Sequence, residues 1–127
     1  MPIYKAPLRD MRFVLNEVFN ADAFWQSNPA LSHVDSDTVS AILEEMAKVS
    51  ENVLAPINRP GDEEGCSINT GVVTTPKGFK EAFKQYAEAG WIGLGADEQF
   101  GGQGMPKMVT VMTDEMIFAA NPSFTLY

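Results

Sequence analysis

Apolar residues recur along this chain in two periods, and each period predicts a different kind of element. From about Asp10 to Asn20, Met11, Val14, Leu15 and Val18 fall at helical spacing and predict a first helix. A second stripe, Val39, Ile42, Leu43, Met46 and Val53, predicts a longer helix whose other faces carry Glu44, Glu45, Lys48 and Glu51. Asp35, Ser36 or Asp37 can cap its free N–H groups, and Pro56 is predicted to end it. The polar, proline-containing stretch WQSNPALSHVDSD between the two reads as a connector. Phe79, Ala82, Phe83 and Tyr86 predict a third helix, capped by Thr75, with Pro76 at its first position and Gly90 as its left-handed terminator. Val109, Met112, Met116, Ile117 and Ala120 predict a fourth, from Pro106 to Asn121-Pro122, after which SFTLY begins something new. Only CSINTGVVTT follows the shorter period. There Ile68, Val72 and Val73 flank an Asn-Thr-Gly turn and predict a short hairpin, preceded by NRPGDEEG as a turn-rich loop.

The pattern therefore predicts a mainly α chain with one short hairpin. At 127 residues it is long enough for one domain with a real core. The net charge of −8 argues against a nucleic-acid binder and against docking on an anionic membrane. A single cysteine, Cys66, permits no internal disulfide, so a reducing, cytoplasmic setting is the natural expectation. Lys5, Arg9, Asp10 and Arg12 interrupt the apolar core that an N-terminal signal peptide needs, and no apolar run is long enough to cross a bilayer. There is no internal repeat.

Six of the ten glycines fall within GWIGLGADEQFGGQGMP, residues 90–106. A dinucleotide fingerprint needs a third glycine where Glu98 stands, and a helix rather than a strand precedes the run. Asp97 and Glu98 would repel a phosphate. Trp91, Ile92, Leu94 and Phe100 are too apolar for a solvated linker. The reading that remains is a packed connection between two helices, with Trp91 and Phe100 as its anchors to the core.

The candidate chemical groups are sparse. His33 is the only histidine and reads as a surface or capping residue, with no converging triad partners. Asp62, Glu63 and Glu64 lack the alternation of a calcium loop and read as a solvated acidic turn. Glu44 and Glu45, like Asp114 and Glu115, are adjacent on helices and diverge by about 100°, too far for an acid/base pair. Cys66 has no metal-ligand partner and is expected half-buried in the hairpin. The seven methionines lie mostly on helical core faces and read as core filling.

The segment EAGWIGLGADEQFGGQGMP resembles the A-x-x-G-W/L-x-G-L…E-x-Y/F-G-G-x-G segment of acyl-CoA dehydrogenases. TDEMIFAANPSFTLY is similar to their acidic helix and the start of the next. MPIYKAPLRDMRFVLNEVF and VLAPINRPGDEEGCSINTGVVTTPKGFKEAFKQYAEAGW resemble a bacterial subgroup with an N-terminal extension, which includes 3-methylmercaptopropionyl-CoA dehydrogenases. Phe100 stands where the family often has tyrosine, a change that an aromatic anchor survives.

The resemblance implies a helical N-terminal domain, a middle β-domain and a C-terminal helical bundle. It implies FAD as hydride acceptor from the acyl β-carbon, a glutamate in the C-terminal part as base for the α-proton, and electron-transfer flavoprotein as the electron acceptor. On this reading residues 1–34 are the extension and 35–127 most of the N-terminal helical domain. The middle β-domain and C-terminal domain are then absent, and the chain alone is expected to be inactive. No catalytic, cofactor-binding or metal-binding residue is then expected within it. Phe124 and Thr125 fall where the family's next helix faces the fatty tail, with Tyr127 close by, although simple packing against neighbouring helices is an equal alternative. The family's usual assembly implies a homo-oligomer. The competing reading is a free-standing helical protein-interaction module, and a reading frame continuing past Tyr127 into a β-domain discriminates against it.

Overall fold

The computed structural model describes residues 3–126. Two helices, α3 and α6, form its spine, and their residues face each other across the core. Helix α1 (Leu8–Phe13) runs into a π turn at Val14–Val18 and, after Asn20 in the left-handed region, into α2 (Ala21–Ser27). Helix α3 (Ser36–Val49) continues through a second π turn (Ser50–Leu54) into α4 (Ala55–Glu64). The hairpin β1 (Ser67–Asn69) and β2 (Val72–Thr74) leads to α5 (Phe79–Glu88). Two 3-10 turns, Trp91–Gly93 and Glu98–Phe100, then lead to α6 (Lys107–Ala120) and the short α7 (Pro122–Thr125).

The predicted core is largely the observed one. Met11, Leu15, Val39, Leu43, Met46, Val109, Met116, Ile117 and Ala120 are all buried together. Asp35 is the residue that caps α3, its carboxylate accepting from Thr38 N at 2.8 Å. Arg12 crosses from α1 to α3, donating to Ser40 Oγ at 3.0 Å and pairing with Glu44. The N-terminal segment is strapped down by Glu51, which accepts from Lys5 Nζ at 2.6 Å and from Ala6 N at 3.0 Å. The hairpin also forms as expected. Ile68 pairs with Val73 around the two-residue loop Thr70-Gly71, and both loop residues have positive φ, as a type I′ turn requires.

Several expectations are corrected. Pro56 does not end the second helix. The π turn shifts the hydrogen-bond register so that Pro56 falls in the first turn of α4, where a missing N–H costs nothing. NRPGDEEG is consequently helix rather than loop as far as Glu64. The stretch after the first helix is only partly a connector, because Ala21–Ser27 is helical. It is held by burial of Trp25, at 1% exposure, and of Ala21. Thr75 does not cap the third helix. The chain makes a further turn at Lys77-Gly78, with Gly78 at φ +91°, and α5 starts at Phe79. Val18 and Phe83, expected inside, are exposed.

The glycine-rich connection is packed, as expected, but only one of its two expected anchors, Trp91, reaches the core. Leu94 is its buried anchor, and Trp91 packs against the core half-buried, while Phe100 is 82% exposed. The connection closes on itself through backbone bonds. Gln103 N donates to Gly93 O, Gly104 N to Ala96 O, and Met105 N to Leu94 O, all at 2.9–3.0 Å. Gly102 allows this closure, since a Cβ there would lie 2.1 Å from the Ala96 carbonyl oxygen. An aromatic side chain is not needed to hold a loop that its own backbone bonds already close.

Candidate functional site

An apolar groove of about 830 Å³ lies between the end of α4, the hairpin, the start of α5 and the start of α7. Its floor is built by a close approach. Gly61 on α4 is buried, and a Cβ there would lie 2.4 Å from Cε2 of Phe79, so only glycine lets α5 bring that ring against the α4 backbone. Pro76 is buried beside it. Val73 and Thr74 of β2 form one wall, Lys80 and Phe83 another, and Phe124 the third.

Phe124 reaches the groove because Asn121 turns the chain. Asn121 is completely buried and ends α6 with φ −157° and ψ 87°, an extended residue between two helices. Its Oδ1 accepts from Phe124 N at 3.1 Å, capping α7. The Phe124 ring then lies 6.3 Å from that of Phe79 and 5.7 Å from that of Tyr86, the latter edge-to-face. Burial pushes the Tyr86 phenol above its ordinary pKa, and the carboxylate of Asp114 adds to the shift.

Of the three residues singled out from the sequence, Phe124 lines the groove. Thr125 does not; its hydroxyl donates back to the carbonyls of Asn121 and Pro122. Tyr127 lies outside the described residues. Gly61 and Phe79 were missed as site-formers. Gly61 sits in a stretch read as a loop, and Phe79 has the spacing of an ordinary core residue; only their approach across two helices marks them.

The remaining candidates do not converge on a reaction. Glu44 pairs with Arg12, Glu45 with Lys48, Glu63 with Arg59 and Asp114 with Lys107. Glu64 accepts from Lys77 N at 3.0 Å. Cys66 is exposed rather than half-buried, because both strands of the hairpin stand out in solvent, and it lies at the groove margin. His33 is exposed beside Gly104. Among the described residues no group of three His, Cys, Asp or Glu side chains could hold a metal ion, and no helix is long and apolar enough to cross a membrane. The glycine-rich connection does not fit a flavin phosphate. Its amides at Gly101, Gly102, Gln103 and Gly104 are bonded to its own carbonyls, and Asp97 and Glu98 stand beside them. The groove offers a largely apolar lining, open to solvent along the hairpin and at Phe83, with Lys80 at one side.

Comparison with known proteins decides the family. The family model described as acyl-CoA dehydrogenase, N-terminal domain, matches residues 36–127. The chain belongs to the acyl-CoA dehydrogenase family. It is 33% identical over 97% of its length to the 3-methylmercaptopropionyl-CoA dehydrogenase of Ruegeria pomeroyi, and 34% identical over its full length to the broad-specificity linear acyl-CoA dehydrogenase FadE5 of Mycobacterium tuberculosis. It is 28% identical over 98% of its length to the butyryl-CoA dehydrogenase of Syntrophomonas wolfei. In each case it spans 21% of the relative's length. This acyl-CoA dehydrogenase N-terminal domain is mainly helical, as the sequence resemblance implied.

Proposed function

We propose that this chain serves as the N-terminal helical domain of an FAD-dependent acyl-CoA dehydrogenase, with residues 1–34 as an extension and 35–127 as the domain itself. The reaction is α,β-dehydrogenation of an acyl-CoA thioester to the trans-2-enoyl-CoA, with FAD as oxidant and electron-transfer flavoprotein as acceptor. The enzyme is cytoplasmic and homo-oligomeric in this reading. Phe124 walls the acyl pocket, with Thr125 and Tyr127 as the adjoining positions. The single observation that carries the proposal is the family match across residues 36–127, supported by three relatives whose names all specify acyl-CoA oxidation. The groove at Phe124 supports the pocket assignment, since apolar walls suit a fatty tail.

In this proposal the residues of this chain shape the acyl site; flavin and catalytic base are held elsewhere. The test has two arms. The complete polypeptide containing this domain, purified with its flavin, should lose its visible flavin absorbance when an acyl-CoA is added under anaerobic conditions. The 127-residue chain mixed with excess FAD should leave gel filtration without a flavin band. No bleaching in the first arm overturns the enzyme reading, and a stoichiometric flavin in the second overturns the placement of the flavin site outside this domain.

A further inference from the structure

We propose that Tyr86 is a positioning residue that sets the acyl-chain length limit by acting through Phe124. The inference rests on the reading of Phe124 as an acyl-pocket wall. Tyr86 itself does not line the groove, whereas Phe124 does. Three constraints fix the Phe124 ring. Asn121 caps its backbone N–H. Phe79 packs 6.3 Å away at a 50° tilt, and is itself wedged over Gly61. Tyr86 packs against the Phe124 ring edge-to-face at 5.7 Å. Asn121 is fully buried, and Phe79 is held against the α4 backbone, so neither constraint can relax without moving a helix. The Tyr86 ring sits near the end of α5, where the chain passes into the glycine-rich connection, and is the constraint that one side chain alone supplies.

The consequence is a selective effect on substrate size. With the Tyr86 ring gone, the Phe124 ring can rotate into the vacated space and the groove deepens on that side. Each further methylene the groove accepts should favour the longer thioester by about fourfold in kcat/KM. A residue that only supports folding would instead lower kcat/KM by one common factor for all chain lengths.

The experiment is a chain-length profile of the complete, flavin-loaded polypeptide against straight-chain acyl-CoA thioesters from butyryl to palmitoyl. Tyr86→Met retains apolar bulk, so the domain keeps its core, but it lacks the fixed ring edge. It should move the optimum towards longer chains, raising the long-to-short kcat/KM ratio about fourfold per methylene. Tyr86→Phe keeps the ring and should hold the parent ratio. Phe124→Ala separates the two readings. If Phe124→Ala shifts the profile and Tyr86→Met does not, the positioning role is wrong and the pocket wall stands. If neither shifts it, both fall. A second readout needs no activity. In the 127-residue chain, Tyr86→Met should weaken the NMR proton contacts between the Phe124 and Phe79 rings. Contacts as strong as in the parent overturn the proposal.

Discussion

Asn121 Nδ2 donates to the main-chain carbonyl of Leu54 at 3.1 Å, joining residues 67 positions apart in a site from which water is excluded. One end of the bond is the π turn that carries α3 into α4, and the other is the corner between α6 and α7. The same side chain caps α7 through Oδ1. Two structural irregularities are therefore held by one amide. Asn121→Ala should leave the Leu54 carbonyl with a bond unmade and the cap lost, costing about 2–4 kcal/mol together. Asn121→Asp keeps an acceptor for the cap but buries a carboxylate against the Leu54 carbonyl oxygen, so at neutral pH it should be no more stable than the alanine variant. Urea unfolding of the three proteins at neutral pH measures both; an alanine variant within 0.5 kcal/mol of the parent, roughly the range of neutral surface changes, would refute the claim.

The glycine-rich connection should respond to alanine according to what each Cβ meets. Gly102→Ala drives a methyl into the Ala96 carbonyl and must break the 93–105 closure, so a loss of about 1–3 kcal/mol is expected. Gly101→Ala has open space around it and pays only for φ +83°, about 1–2 kcal/mol. Amide hydrogen exchange distinguishes them. Gln103, Gly104 and Met105 should lose protection in the Gly102 variant and retain it in the Gly101 variant.

Anchoring of that connection can be ranked by truncation. Leu94→Ala should cost about 2–5 kcal/mol because Leu94 is 3% exposed. Trp91→Ala should cost less than a fully buried tryptophan would, since the residue is only partly buried. Phe100→Ala should fall within about 0.5 kcal/mol of the parent. Thermal melts of the three variants give the order, and a Phe100 variant as damaged as the Leu94 variant would show that Phe100 does anchor the loop.

Acid should release the N-terminal segment. The Lys5 ammonium, then the Ala6 N–H, hold the Glu51 carboxyl below its ordinary range. A carboxylate with a lowered folded-state pKa contributes stability that is present above its unfolded value, about 4.3, and is lost as pH falls through the folded value. The parent should therefore lose stability below about pH 4.3, and Glu51→Gln should lose less over that window while being less stable at pH 7. Asp35, lowered by its hydrogen bonds to Thr38, follows the same sign and remains titrating in the Glu51 variant. Parallel acid melts of parent and variant, identical in slope, would contradict the strap.

Much of this domain was legible in the order of its residues, and the boundary of legibility has a physical cause. The stripes at Val39–Met46 and Val109–Ala120 predicted the facing helices, because burying one apolar face demands that spacing. The Asp35 cap, the Thr70-Gly71 turn and the Gly90 terminator were also readable, since each depends on neighbours in sequence. Phe124 could be singled out only through resemblance. What tertiary structure alone decided lies where distant segments meet. Pro56 stays within a helix because a π turn, joined at Leu54 to the distant Asn121, moves it into a first turn. Ala21–Ser27 is helical because Trp25 finds a buried place among other helices. Phe100 is outside because backbone bonds close the loop without it. The groove exists because Gly61 admits Phe79 across two helices, an approach that no local propensity encodes.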